Sequence, residues 1–383
     1  MWSTLSIGLP FLVAILAGES VKATACNVTT PCPFSAPCCS EFGFCGKGHF
    51  CLGGCNPFAS RSIDSCKPEP VCKDAEYVFT DNSRILSNST FFEGNATQYD
   101  WVLENGNIFN TNKTGGELAM TLTEKNGGTK LSSTRYVHYG TITAKLKTGR
   151  WKGVVTAFIT MSDIKDEIDW EFPGAATTEG QSNLFWQGYI PTDKTNGATH
   201  TGLSDTYSNY HDFTIDWQPD SLSWSIDGKV VRTVKKSDFV EGGLTRYPNT
   251  PSRVQLSIWP AGIESSGKGT VEWAGGMIDW TDPDYKSAGQ FSALVKSVSV
   301  KCANLPSLIS SANATNATDI TSYVYASNGT GGVPVVAYTN RSTNLNGVGR
   351  GMAMLGVEGG KWQLAVLGFT GLLVAGSQVI LGL

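Results

Sequence analysis

Between about residues 72 and 303 the chain is built from short runs in which apolar and polar positions alternate. Leu118-Ala119-Met120-Thr121-Leu122, Gly140-Thr141-Ile142-Thr143-Ala144-Lys145-Leu146, Asp212-Phe213-Thr214-Ile215-Asp216-Trp217 and Ser221-Leu222-Ser223-Trp224-Ser225-Ile226 are of this kind. A period of two is that of a β-strand with one face buried. Asp227-Gly228 stands between the last of these runs and Lys229-Val230-Val231-Arg232, a strong signal for a two-residue hairpin. Arg253-Val254-Gln255-Leu256-Ser257-Ile258-Trp259 predicts a further strand, and Val154-Val155-Thr156-Ala157-Phe158-Ile159 an interior one. Many short strands separated by turn residues predict an all-β, two-sheet sandwich.

One strand carries chemistry. In Asp166-Glu167-Ile168-Asp169-Trp170-Glu171, the acids Glu167, Asp169 and Glu171 occupy alternate positions. On a strand all three share one face, with Ile168 and Trp170 on the other. A solvated edge strand can carry such charges, but the apolar residues around this run read as interior. Like charges on one face destabilise a fold, so the arrangement calls for a function. The Cα atoms of Glu167 and Glu171 are about 13 Å apart on a straight strand. Side chains leaning inward can bring the carboxyl groups to about 5–5.5 Å, the separation of a retaining glycosidase pair. Asp169, between them, can split their pKa values.

This run resembles the E-x-D-x-E signature of glycoside hydrolase family 16. Gly149-Arg150-Trp151-Lys152-Gly153 before it and Phe172-Pro173-Gly174 after it look like the fungal Crh-type cell-wall transglycosylases. The resemblance covers roughly residues 75–300 and implies a jelly-roll sandwich with the acids in a cleft. It implies Glu167 as nucleophile, Asp169 as its helper and Glu171 as acid/base. It also implies sugar contacts from Trp186 and Gln187, from Trp259, and from Arg135 and Tyr136. Trp217 and Trp224 read as core, and His211 as structural.

The ends and the composition supply a compartment. Leu5 to Leu16 is apolar and Ala23-Thr24-Ala25 offers a small-x-small cleavage site, so residues 1–25 read as a secretory signal. Leu364 to Leu383 is uncharged and mostly apolar behind a glycine-rich stretch. With Asn346 as attachment residue, 347–383 reads as a glycosylphosphatidylinositol signal removed on maturation. Sequons at Asn27, Asn88, Asn95, Asn112, Asn313, Asn316, Asn328 and Asn340 suit secretion. A formal charge of −4 argues against a nucleic-acid partner. No metal constellation or cofactor motif appears. Segment 304–346 is Ser/Thr/Asn-rich with few large apolar residues, and reads as a glycosylated spacer.

Nine of the ten cysteines lie between Cys26 and Cys72, which predicts a small disulfide scaffold rather than a zinc site. Cys38-Cys39-Ser40-Glu41-Phe42-Gly43-Phe44-Cys45-Gly46 followed by Phe50-Cys51 resembles the hevein-like chitin-binding module, carbohydrate-binding module family 18. That resemblance places a module at 26–66 ahead of a catalytic domain at 72–303. It implies a sugar site at Ser40, Phe42, Phe44 and Phe50, with aromatic faces stacking on pyranose rings. It also implies the pairs Cys26–Cys39, Cys32–Cys45 and Cys38–Cys51. Cys55–Cys66 would close a local loop, and Cys72–Cys302 would tie the two ends of the large domain together.

The expectation is a retaining glycosyl-bond enzyme fixed at a fungal cell surface by a lipid anchor. Resemblance favours transfer of chitin to chitin or to β-1,3- or β-1,6-glucan. An endo-β-glucanase or chitinase-like hydrolase, and a non-catalytic chitin-binding wall protein, are the alternatives.

Overall fold

The computed structural model describes residues 24–112, 116–191, 195–304, 320–329 and 333–345. The expected signal up to residue 23, the sequons Asn313 and Asn316, the attachment residue Asn346 and the tail 347–383 lie outside the described residues.

The alternating runs become two sheets of eight strands each. The first is ordered Lys229–Lys235, Ser221–Ile226, His211–Trp217, Gly140–Lys147, Phe291–Cys302, Leu118–Leu122, Asn107–Asn110, with Ala75–Val78 also paired to Phe291–Cys302. The second is ordered Ala198–Thr201, Glu179–Phe185, Glu167–Pro173, Val154–Ser162, Ser252–Pro260, Thr129–Val137, Trp101–Asn105, Ile85–Leu86. Neighbours in both are antiparallel apart from the Ile85–Leu86 edge pair. The predicted hairpin is present: Asp227 and Gly228 have φ of 50° and 79°, the left-handed conformations a two-residue turn demands.

The core lies between the sheets. Ile168, Trp170 and Phe172 point into it from the acidic strand and are almost wholly buried. The Phe213 ring, from the opposite sheet, meets Trp170 at 5.4 Å and Phe172 at 4.4 Å between centroids. Two of the buried indoles around this strand find polar partners. Trp170 Nε1 donates to the Thr214 carbonyl at 3.1 Å, and Trp224 Nε1 to the Asp169 carbonyl at 3.0 Å. Trp217 and Trp224 are therefore core residues; Trp224 pins the acidic strand from beneath, while Trp217 Nε1 donates to the Pro248 carbonyl at 3.1 Å.

Five disulfides are present: Cys26–Cys39, Cys32–Cys45, Cys38–Cys51, Cys55–Cys66 and Cys72–Cys302. The last spans 230 residues and clips the linker after the cysteine-rich module to the end of the Phe291–Cys302 strand.

The reading of 304–346 as a spacer needs correction over the described residues 320–329 and 333–345. Ser322–Asn328 and Pro334–Thr339 form a hairpin that recruits Glu69–Pro70 as a third strand. Tyr323 and Tyr338 are buried against Tyr136, and the Tyr338 hydroxyl lies 2.8 Å from His138 Nδ1. Tyrosines supply the apolar surface here, so a segment poor in aliphatic residues still packs.

Candidate active site

The chain reaches the acidic strand through a tight turn. Lys165 adopts φ of 74°, Lys165 N donates to the Ser162 carbonyl at 3.0 Å, and Asp166 N to Ser162 Oγ at 2.8 Å. Asp166 then anchors the loops around it. Its Oδ1 accepts from Gln187 N at 2.9 Å, and its Oδ2 accepts from Asn249 N at 2.9 Å and from Thr250 Oγ1 at 2.7 Å. Burial pushes this carboxyl up to about 6 against the pull of those donors. Sequence reading missed Asp166, because its partners lie 21 to 84 positions away.

Unshifted register carries Glu167, Asp169 and Glu171 onto the outer face of the sheet. Met161, Ile159 and Ala157 stand opposite them on one side, and Phe185, Asn183 and Gln181 on the other. Directly paired residues of an antiparallel sheet share a face, so these side chains line the same surface. The three acids are buried, with 4%, 0% and 4% exposure. Burial, then the Glu171 charge, pushes Glu167 up to about 8, against the neighbouring Asp169 carboxyl and the charges of Lys165 and Lys130. Burial and both flanking glutamates hold Asp169 well above the usual carboxylate range. A shared-proton cluster of this kind keeps one acid neutral as a donor while its neighbour ionises.

Trp259 lies on the same face two strands from the acids, half-buried. Its ring stacks on Trp273 at 6.0 Å and 26°. Trp273 Nε1 donates to Gln181 Oε1 at 2.7 Å, and Gln181 is paired with Glu171. Trp273 and Gln181 were not found from the sequence: Trp273 comes from a six-residue helix, Lys268–Trp273, outside the strand pattern. Trp186 is half-buried in the turn after Glu179–Phe185, where its backbone bridges to Tyr189, and Gln187 follows at φ of 50°.

Two expected sugar contacts are misplaced. Tyr136 is 2% exposed, donates to Asp163 Oδ1 at 2.8 Å and accepts from Gly54 N at 3.1 Å. The C-terminal hairpin and the cysteine-rich module cover it, so it cannot stack on a sugar. Arg135 is turned away and donates to the Val71 carbonyl at 3.0 Å, holding the linker.

The cysteine-rich module rests on this face. Glu41 pairs with Lys130 and, at 2.7 Å, with Arg253, whose other terminal nitrogen meets Glu104 at 2.6 Å. Burial raises the Glu41 carboxyl, but Lys130, Arg253 and Lys165 overcome it and hold it at about 2. Of the expected chitin contacts, the Phe42 ring lies 4.8 Å from Lys130 Nζ. Phe50 packs on Gly46, and Ser40 Oγ accepts from Phe44 N at 3.4 Å. All four are partly exposed.

Residues 95–275 match the model of glycosyl hydrolases family 16. The chain is 44% identical over 304 residues to Crh-like protein 3 of Botryotinia fuckeliana, covering 79% of this chain and 66% of that one. It is 42% identical over 313 residues to Crh-like protein 2 of Aspergillus fumigatus, covering 79% and 68%. It belongs to the Crh-like proteins of glycosyl hydrolase family 16. This Crh-like chain spans about two thirds of the length of those two curated relatives, 66% and 68%. Its sandwich superposes on a structure of the Crh5 transglycosylase in complex with NAG with a TM-score of 0.54 at 29% identity, covering 71% of this chain and 94% of that one.

Proposed function

We propose that the protein is a retaining transglycosylase of the fungal cell wall, secreted and lipid-anchored, which cleaves chitin and transfers the new end to β-glucan or chitin. The observation that carries this reading is the triad of buried carboxyl groups on one face of one strand, Glu167 and Glu171 flanking Asp169. The Crh-like relatives and the NAG bound to the Crh5 neighbour support chitin as donor, because that sugar is the unit of chitin.

Glu167, once ionised, attacks the anomeric carbon. The C1–O(Glu167) bond forms as the glycosidic C1–O bond breaks, and Glu171 gives its proton to the leaving oxygen. Glu171, now a carboxylate, takes the proton of the acceptor hydroxyl as that oxygen bonds to C1 and displaces Glu167. Asp169 keeps its proton and donates toward Glu167, stabilising the carboxylate each time it is released. Trp259, supported by Trp273, offers the stacking surface for a pyranose on the Glu171 side, and Trp186 and Gln187 border the other. The module's Ser40, Phe42, Phe44 and Phe50 would hold chitin close by, raising its local concentration.

Incubation with chitin and a fluorescent β-1,3-glucan oligosaccharide tests the reading, with a Glu167→Gln variant alongside. Label that becomes chitin-linked only with the parent protein supports transfer and the role of Glu167. Release of short chitin oligosaccharides without label transfer would make the enzyme a hydrolase.

A further inference from the structure

The contact between the cysteine-rich module and the acid-bearing face has features of a specific lock. Glu41 is the only acid the module sends into that face among the described contacts, and it enters a socket of three cations. Two come from strands of the acid-bearing sheet, Lys130 and Arg253. The third, Lys165, donates from Nζ to the Glu41 backbone carbonyl at 3.0 Å. Register sets Arg253 across Met161 from Glu167, and Lys165 and Lys130 also act on Glu167, so Glu41 and the nucleophile candidate are in electrostatic reach of the same pair of lysines. Gly53 lets the module approach closely, and Gly54 leaves room beside it for the Glu41 side chain. A Cβ at Gly53 would meet the Arg253 guanidinium at 2.6 Å, and one at Gly54 would meet the Glu41 side chain at 2.6 Å. Gly54 N donates to Asp163 Oδ1 at 3.0 Å and to the Tyr136 hydroxyl at 3.1 Å, sealing the contact.

We propose that this face is a docking socket for the chain's own module, and that Glu41 seated in it closes the flank of the sugar path beside Glu167 until a glycan draws the module away. A glycan crossing the sheet from Glu167 toward Arg253 and Lys130 would have to occupy the volume Glu41 fills. The same closure fits the buried, proton-retaining state of Glu167, since water and sugar hydroxyls are kept from it. The displacing ligand follows from Phe42. Its ring is held under Lys130 when the module is docked, and it is also one of the module's candidate sugar-stacking rings. Glycan on the module and docking of the module therefore compete for one side chain. This release step rests on the reading of the module as chitin-binding; the latch itself does not.

Two full-length variants and one amide test it. Glu41→Lys places a fourth cation among three, and Gly53→Leu drives a side chain into Arg253 without touching charge; neither residue is in the catalytic set. Both are expected to lower KM for a long glycan at least about fivefold with kcat little changed, because apparent affinity scales with the fraction of open protein. The Gly54 amide, bonded only when the module is docked, should exchange with solvent at least about tenfold faster in both variants. It should do so in the parent on adding a chitin oligosaccharide. Unchanged KM and a still-protected Gly54 amide in both variants would overturn the latch, whatever the enzyme's reaction. Release in the variants but not with chitin oligosaccharide would overturn the release step and leave the latch standing. Absence of any transfer by the parent would overturn the proposed activity, and the amide readout would still decide the latch.

Discussion

Replacing Glu167 by Gln keeps the side chain's shape and removes its charge, and the burial of the triad makes the consequence calculable. The folded protein lifts Glu167 from its ordinary 4.5 to about 8, through burial first and the Glu171 charge second. Each unit corresponds to about 1.4 kcal/mol. An acid whose pKa is raised on folding costs nothing below its unfolded value, because both states hold the proton. As pH rises from 4.5 toward 8 the unfolded chain releases the proton first, and folded stability falls over that window. At pH 6 the loss is about 2 kcal/mol, and above pH 8 it levels off near an upper bound of about 5 kcal/mol. Gln carries no such penalty. The variant should match the parent at pH 4 and exceed it at pH 6 by about 2 kcal/mol, or roughly 4–8 °C in Tm for a domain of this size. Differential scanning calorimetry of both proteins at pH 4, 6 and 7.5 measures this directly. A Tm difference that stays flat with pH, or a variant less stable at pH 7.5, would refute the assignment of a buried, proton-retaining Glu167. Transfer activity should be lost throughout, so this residue trades stability for chemistry.

Trp259→Ala removes the half-buried ring stacked on Trp273 and should raise KM for the glycan about tenfold, the equivalent of roughly 1.4 kcal/mol of stacking. Steady-state kinetics with oligosaccharides of increasing length would show the effect only for those that reach that ring; an unchanged KM at every length would sink the assignment. Tyr338→Ala takes a buried ring from the C-terminal hairpin and from His138, and should cost about 3 kcal/mol in denaturant unfolding. A cost under about 0.5 kcal/mol, the scale of ordinary surface changes, would restore the spacer reading of this segment.

Much of the architecture was legible in local pattern. Alternation at Leu118–Leu122 and Ser221–Ile226 corresponds to strands with those bounds, and Asp227-Gly228 to a hairpin turn. These features depend on a residue and its immediate neighbours, and a period of two has one structural meaning. The acidic strand was legible for the same reason: once Glu167–Pro173 is a strand, the faces of Glu167, Asp169 and Glu171 follow.

What local pattern could not decide were the meetings of distant residues. Tyr136 and Trp259 are both aromatic residues on strands of one sheet, yet Tyr136 is sealed under Gly54 and Tyr338 while Trp259 stays half-open. Asp166 differs from Glu167 by one position, but it faces backbone donors from two loops, whereas Glu167 faces Met161 and Phe185. Glu41 meets Arg253 across 212 positions of sequence, and Tyr338 meets His138 across 200. Strand identity and the shared face of the acids were determined by the sequence alone, because backbone sterics act over two residues. Which aromatic is open, which acid is structural and where the module rests were decided only by tertiary structure, because burial and ion pairing depend on whatever the folded chain brings within a few ångströms.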